Sequence, residues 1–200
     1  MHTQAPLAQA CTDPSGTWDG PYRELFPNGT VAAKGRFARG KEDGAWVLRY
    51  GNGREAESGL YRDGKREGAW TSFYDTGVPL SQGEYRQGLQ QGPWRTWHEN
   101  GTLKSQGDYE AGEETGRWTT WYPNGQKKSE GEYRGRHTDP RRNVSLPAES
   151  GRWTYWAEDG HVTLEGCFEH GAQVGAWTEA PGSGPAIVRT MPRAAAAECR

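Results

Sequence analysis

The five histidines and three cysteines are the residues of this 200-residue chain best suited to bind a metal or to act in catalysis. They are scattered, and the spacing of His161, Cys167 and His170 matches no known metal site. Carboxylates are abundant, but none lies in an apolar stretch that would raise its pKa for acid–base chemistry. No nucleophile motif or phosphate-binding loop is present. The sequence therefore predicts no catalytic residue, no metal and no cofactor, and we do not expect an enzyme.

Composition favours a thin β-sheet over a thick globular core. Only 32% of the residues are hydrophobic, yet the chain has 10 Trp, 9 Tyr and 29 Gly. Large flat rings bury much area at a low cost in side-chain entropy, and so many of them argue against disorder. Acidic and basic residues are interleaved to a formal net charge of −2, so neither nucleic-acid binding nor attraction to an anionic membrane is expected.

A 24-residue unit recurs along the chain and dominates its organisation. Its anchor glycines are Gly20, Gly44, Gly68, Gly92, Gly116 and, after an 11-residue insertion, Gly151, with Gly175 opening a partial seventh unit. With each anchor counted as position 0, aromatic residues recur at positions 2, 6 and 17, and most units carry Asn-Gly or Asp-Gly at positions 8 and 9. This dipeptide between β-type segments predicts a hairpin with a two-residue type I′ turn. Six stacked hairpins are expected.

The predicted turn sets the register of each hairpin. Position 6 lies opposite position 11, position 4 opposite 13 and position 2 opposite 15, so that Trp94, for example, faces Gly107. We expect each such ring to cover the bare backbone of the glycine opposite, with the position-17 aromatic on the same face. The predicted core is therefore a ladder of rings formed by Trp46, Trp70, Trp94, Trp118, Trp153, Tyr61, Tyr85, Tyr109 and Tyr133.

A second aromatic row occupies position 5, among charged and small residues on the opposite face. Its main members are Phe73, Trp97, Trp121 and Trp156. These rings either pack under inter-repeat loops and on the stems of long charged neighbours, or form an exposed row that contacts a partner. In the second case they are the partner-binding residues.

The pattern also predicts the domain boundaries. Residues 1–15 are expected to be a disordered tail, residues 16–179 the hairpin array with an insertion loop near residues 136–150, and residues 180–200 a disordered tail. The residues before Cys11 are similar to the end of a signal peptide but lack its charged and apolar regions. As written, the chain is expected in the cytoplasm as a monomer. It would be an exported lipoprotein, lipidated at Cys11, if translation begins upstream.

The unit resembles a known repeat family. The segment GRWTTWYPNGQKKSEGEYRG, from Gly116 to Gly135, is similar to the MORN-repeat variant of bacterial proteins that are commonly labelled antitoxins of toxin–antitoxin systems, the YwqK family. The resemblance covers about residues 16–179. It implies an all-β, elongated antiparallel repeat sheet and a protein-binding role, most specifically the neutralisation of a cognate toxin. It implies no catalytic residue. The insertion and Ala157 at position 6 depart from the pattern.

Two other functions are compatible with the sequence. Adjacent rings, as at Trp97-His98 and Trp121-Tyr122, superficially resemble the Gly-Trp units of choline- and glucan-binding repeats, which favours carbohydrate or cell-wall binding. The resemblance to MORN repeats also allows a scaffold that contacts membrane lipids, although the acidic balance of the chain argues against it.

Overall fold

The chain folds entirely into β-structure over the part that the computed structural model describes, residues 7–139, 144–180 and 186–191. There it forms β1 (Leu7–Thr12), β2 (Trp18–Leu25), β3 (Val31–Ala38), β4 (Lys41–Glu42), β5 (Gly44–Arg49), β6 (Glu55–Arg62), β7 (Lys65–Phe73), β8 (Pro79–Arg86), β9 (Leu89–Trp97), β10 (Leu103–Glu110), β11 (Glu113–Trp121), β12 (Lys127–Asp139), β13 (Val144–Trp156), β14 (Val162–Glu169), β15 (Ala172–Glu179) and β16 (Ile187–Met191). The predicted all-β, antiparallel hairpin-repeat class is confirmed. In these ranges no helix is long and apolar enough to cross a membrane.

The strands belong to two compact units. The first comprises Met1–Gln91 and Glu99–Gly101, and the second Gly92–His98 and Thr102–Arg200. Within each unit the strands pair antiparallel in chain order, and the two-residue strand β4 pairs with β3 ahead of β5. Each 24-residue repeat contributes one hairpin, such as β5 with β6 in the first unit or β11 with β12 in the second.

The Asn-Gly turn contains three residues rather than two. In the first repeat the Phe26 N–H donates to the Thr30 carbonyl at 2.8 Å, and the Gly29 N–H donates to the Phe26 carbonyl at 2.8 Å. Only Gly29 has a positive φ, 83°, whereas a type I′ turn needs two such residues. The Asn28 side chain closes the turn instead, because its Oδ1 accepts from the Thr30 N–H at 3.0 Å. The predicted type I′ turn is therefore wrong.

A bulge beside this turn restores the predicted register deeper in the hairpin. Leu25 pairs with Val31, so the expected pairing of positions 6 and 11 is wrong, and the register then shifts between Glu24 and Leu25. The extra turn residue and the bulged residue compensate each other. The pairing of positions 2 and 15 is thus confirmed at Trp46 with Gly59, Trp70 with Gly83, Trp94 with Gly107, Trp118 with Gly131, and Trp153 with Gly166.

Turns with two positive φ angles occur at positions 19 and 20, after the second strand of a repeat. At Asp63-Gly64, for example, φ is 52° and then 77°. The first residue at the other such turns is Arg39, Gln87, Ala111 or His170, each followed by glycine. The sequence predicts these turns only weakly, because only one of the two residues with a positive φ is a glycine.

Three segments differ from the expected disordered tails and loop. Leu7–Thr12 forms β1 and pairs with β2, and Ile187–Met191 forms β16 and pairs with β15, since an edge strand can accept one more neighbour. The insertion extends the β12–β13 hairpin, in which Arg136 pairs with Pro147. Residues 1–6, 140–143, 181–185 and 192–200 lie outside the described part, as do the parts of the predicted tails and loop that fall on them.

Candidate functional site

The anchor glycine of each repeat opens a bulge that turns the following Trp towards the preceding repeat. Between β6 and β7 the register shifts at Ser58 and Leu60, so Gly59 alone faces the three residues from Gly68 to Trp70. Gly68 has a φ of 69°, which glycine adopts without strain. The Gly-x-Trp motif is therefore the signature of this bulge.

The Trp ring of the bulge lies directly on the glycine that it faces. A Cβ on Gly59 would be 2.3 Å from Cδ2 of Trp70, and the indole Nε1 of Trp70 donates to the Leu60 carbonyl at 3.0 Å. The same close approach, at 2.0 to 2.2 Å, occurs at Gly35 under Trp46, Gly107 under Trp118, Gly131 under Trp153 and Gly166 under Trp177. Each ring therefore locks one hairpin onto the one before it.

This arrangement corrects the expected shielding of the glycines. Trp94 is the Cα partner of Gly107 within its hairpin, as predicted, but the ring over Gly107 is that of Trp118 in the next repeat. The direction of the ring follows from the bulge, because the extra residues carry the indole towards the preceding strand. Pairing within a hairpin thus does not identify the residue that covers the glycine.

Indole and phenol rings alternate along one face of each unit, which we call the ring face. The distances between ring centroids are 5.0 Å for Tyr61 and Trp70 in the first unit and 5.2 Å for Tyr109 and Trp118 in the second, both edge to face. The predicted core tryptophans are all buried, at 3 to 6% exposure: Trp46, Trp70, Trp94, Trp118 and Trp153. The predicted tyrosines are half-buried: Tyr61, Tyr85, Tyr109 and Tyr133.

The core also includes rings outside the set predicted from the sequence. Tyr22 and Phe37 are buried in the first repeat, and Trp177 of the partial seventh unit is 2% exposed. They occupy positions 2 and 17 of the repeat, as the predicted core rings do, so the repeat period was sufficient to predict them. Within the described part of the chain, the buried Nε1 of Trp177 has no hydrogen-bond partner.

One residue of the repeat, at position 22, reaches over the ring face. In the repeat that opens at Gly44, in the first unit, this residue is Arg66, whose guanidinium carbon lies 4.2 Å from the Trp70 ring centroid and 5.2 Å from that of Tyr85; the neighbouring repeats of this unit carry Glu42 and Gln90 there. Arg66 Nη1 also donates to the Tyr85 hydroxyl at 3.1 Å, and Nη2 pairs with Glu57 at 2.7 Å. The rings and one carboxylate therefore form a binding site for a guanidinium group.

In the second unit the residue two places before the next anchor glycine is a carboxylate in two consecutive repeats: Glu114 at position 22, and Glu149, which the 11-residue insertion shifts along the chain. Burial and the charge of Glu149 raise the pKa of Glu114, although the Tyr109 hydroxyl donates to Glu114 Oε1 at 3.4 Å and opposes the shift. Burial first, and then the charges of Glu114 and Glu149, raise the pKa of Tyr133. Burial, with Glu149, raises the pKa of Tyr155 to about 12. This part of the ring face is thus acidic and lined by phenols.

The position-5 row lies on the opposite face by strand parity. Phe73, in the first unit, and Trp97, Trp121 and Trp156, in the second, are all half-buried. Their cross-strand neighbours are respectively Pro79, Leu103, Lys127 and Val162. The ammonium of Lys127 lies 5.7 Å from the Trp156 ring centroid.

The position-6 side chain of the preceding repeat anchors the backbone of this row. The Tyr50 hydroxyl donates to the Phe73 carbonyl at 2.7 Å, and the Tyr122 hydroxyl to the Trp156 carbonyl at 2.9 Å. His98 takes the place of a tyrosine, with Nε2 2.9 Å from the Trp121 carbonyl. The backbone carbonyls of Phe73, Trp121 and Trp156 are therefore each contacted by a side chain of the preceding repeat.

No group of three or more His, Cys, Asp or Glu side chains in the described ranges could hold a metal ion. Of the three residues singled out from the sequence, Cys167 is disulfide-bonded and so is not a free thiolate ligand. Cys11 is free and exposed.

Comparison with known families finds a match for three of the repeats. Residues 66–87, 90–111 and 114–134 match the family described as MORN repeat variant, and successive matches are 24 residues apart. MORN repeats are generally non-catalytic modules that bind proteins or membranes. No curated protein matches the chain.

Proposed function

We propose that this chain is a protein-binding module that holds its partner through the position-5 aromatic row. The observation that carries the proposal is that Trp97, Trp121 and Trp156, at one position of three successive repeats in the second unit, are only partly buried. Equivalent residues of successive hairpins are separated by two strand spacings, about 10 Å. Tryptophan is enriched at the hot spots of protein interfaces, and a regular strip of rings suits a protein surface.

Polar residues adjoin this row, as they do at most protein interfaces. On the same face by parity, Glu130 pairs with Arg117 and with Lys127, the latter at 2.7 Å. Arg152 Nε pairs with Glu165 at 2.6 Å. An aromatic centre with a charged rim is the usual anatomy of a specific protein interface. The position-5 face is thus the proposed binding surface, because the tryptophans of position 2 are already buried in the core on the other face.

Co-purification from cells of the source organism tests this proposal. The wild-type chain is compared with a variant in which Trp97, Trp121 and Trp156 are each changed to Ser. The control is Trp18→Ser, which removes a ring that is 42% exposed and outside the row. We expect a protein to be retained by the wild type and by the control but lost from the triple variant, with all three still folded by circular dichroism. Equal retention by the triple variant contradicts the proposal.

Two further assays separate the alternative functions. Sedimentation with insoluble polysaccharides tests binding of sugars to the same tryptophans, and sedimentation with liposomes tests membrane contact. Binding in either assay that disappears in the triple variant, together with no retained protein, would replace a protein partner with a glycan or a lipid surface.

The most specific form of the proposal is that the partner is a toxin that this chain neutralises. Its support is the resemblance of the sequence to the antitoxin-labelled family, and it is tested by growth. Co-expression of the chain with the protein that it retains should restore growth to cells that the partner alone arrests. The triple variant should fail to restore growth. If the retained protein is harmless when expressed alone, the antitoxin role is wrong and general protein binding remains.

A further inference from the structure

We propose that the ring face of the second unit binds an arginine or lysine side chain of a protein partner. The seat is formed by the rings of Tyr133 and Tyr155 and the carboxylates of Glu114 and Glu149. This inference rests on the proposed function, since it specifies the chemistry of the partner. It also adds a second contact surface, on the face opposite the position-5 row.

The first unit shows what the repeat does with a cation at this place. Arg66, at position 22, lies 4.2 Å above the Trp70 ring and bonds both the Tyr85 hydroxyl and Glu57. Its guanidinium is satisfied by an indole face, a phenol oxygen and a carboxylate. The chain itself therefore provides an occupied example of a guanidinium site built from ring-face residues.

The second unit has the same rings, but carboxylates take the place that Arg66 has in the first unit. Glu114 and Glu149 each stand two places before an anchor glycine, as Arg66 does, and Glu149 is the strand partner of Tyr133. A carboxylate cannot replace a guanidinium on a ring, because the face of an aromatic ring is negative. Neither carboxylate forms an ion pair with any residue in the described ranges, and after burial the charge of each helps to raise the pKa of Tyr133. Two like charges on a phenol-lined surface thus lack a cation.

A guanidinium from a partner satisfies all of these groups together. Its planar face stacks on a phenol ring, and its donors reach both carboxylates, which relieves the repulsion between them. An ammonium gives the same charge with fewer directed donors. A divalent metal ion is a poorer fit, because the described residues contain no cluster of three ligands. Charge complementarity therefore selects a basic side chain as the occupant.

Binding of a basic peptide tests the seat directly. The probe is a fluorescein-labelled decapeptide of alternating Arg and Gly, and the reference has citrulline at every Arg, which keeps the shape and removes the charge. Fluorescence anisotropy should show the Arg peptide binding at least tenfold more tightly than the citrulline peptide. Equal affinity for the two peptides, or no binding of either, overturns the inference.

Matched variants separate the seat from general charge attraction. Changing Glu114 and Glu149 to Gln should weaken the Arg peptide at least tenfold. Changing Glu110 and Glu158 to Gln removes the same charge from exposed positions and should alter affinity less than twofold. If both double variants lose affinity equally, the attraction is nonspecific and the inference is wrong. Thermal unfolding confirms that each variant is folded.

A third variant fills the seat from within. Glu114→Arg copies the first unit, so its guanidinium should occupy the rings, raise the unfolding temperature and reduce the affinity for the Arg peptide at least tenfold. Undiminished peptide binding by this folded variant contradicts the proposed location. The proposed function fails separately, by loss of dependence on Trp97, Trp121 and Trp156. A partner that is still retained by Glu114→Gln/Glu149→Gln, with no peptide effect, overturns the seat alone.

Discussion

The ring faces of the two units share their glycine–indole contacts but differ in the residue that lies over the rings. Trp70 covers Gly59 in the first unit just as Trp118 covers Gly107 in the second. Over these rings the first unit places Arg66, which is bound by its neighbours, whereas the second places Glu114. The contacts that hold one hairpin on the next are therefore the same in the two units, whereas the charge of the residue over the rings differs between Arg66 and Glu114.

The physical reason lies in the space available at each position. Any Cβ on Gly59 or Gly107 would overlap an indole whose edge is itself hydrogen-bonded to backbone. Position 22 instead lies above the rings, where long side chains of either charge fit. Variants at the shared contacts and at position 22 should consequently have very different costs.

The largest expected effect is the loss of a shared indole. Trp70→Ala and Trp118→Ala should each destabilise the protein by about 3–5 kcal/mol, because each leaves a cavity and uncovers a glycine. The free energy of unfolding from urea denaturation measures both. The comparison predicts equal costs in the two units to within about 1 kcal/mol. A loss below about 1 kcal/mol in either unit would show that its indole is not a core residue.

A smaller cost is expected when a Cβ is forced under the ring. Gly59→Ala and Gly131→Ala should each cost about 1–3 kcal/mol, because the indole must move off the backbone. Gly51→Ala is the matched control, since a Cβ there meets nothing within 4 Å and its φ is not positive. The control should change stability by less than about 0.5 kcal/mol. Equal effects at the three sites would remove the distinction between covered and open glycines.

The next effect in size concerns the cation of the first unit. Arg66→Gln should cost about 1–2 kcal/mol, because it removes the contact with Trp70 and leaves Glu57 without its ion pair. Arg62→Gln, at an exposed position nearby, should leave the stability of the protein unchanged. The measurement is the difference in melting temperature between the Arg66→Gln and Arg62→Gln variants. If the two variants melt together, Arg66 does not complete the ring face of its unit.

The smallest effect has the opposite sign and depends on pH. The pKa of Glu114 is raised in the folded state by burial and by Glu149, so protonation favours folding. This stabilisation is complete below the pKa of the unfolded chain and disappears as the pH rises through the folded pKa. Glu114→Gln should therefore match the wild type near pH 4 and be more stable at pH 7, by less than about 1 kcal/mol. A destabilised variant at pH 7 would show that the charge of Glu114 does not oppose folding.

The periodic features of the fold could be predicted from the sequence because they depend on local chemistry. The 24-residue period identified the hairpins, and the alternation of strand residues put Trp94 opposite Gly107. The turn type was wrong because Asn28 bonds the backbone ahead of it through its side chain, which a dipeptide rule does not consider. The predicted pairing deeper in the hairpin was still correct, because the bulge at Leu25 compensates for the extra turn residue.

The contacts between repeats could not be predicted in the same way. That Trp118 covers Gly107 depends on a bulge opened by Gly116 on the next hairpin, and the sequence shows the glycine but not its φ of 64°. The effect of Glu149 on the pKa of Glu114 similarly depends on residues that precede the anchor glycines of two different repeats and that share a face. The edge strand Leu7–Thr12 was missed because its small residues carry no alternating pattern.

A double-mutant cycle on Gly107 tests the central claim most directly. Gly107→Ala should cost about 1–3 kcal/mol in the wild type, and most of that cost should vanish when Trp118 is also changed to Ala, because the overlapping ring is gone. In the Trp94→Ala background the same glycine substitution should keep its full cost, although Trp94 is the strand partner of Gly107. The opposite result, with the cost abolished by Trp94→Ala and unchanged by Trp118→Ala, would show that each indole covers its own hairpin and does not lock the repeats together.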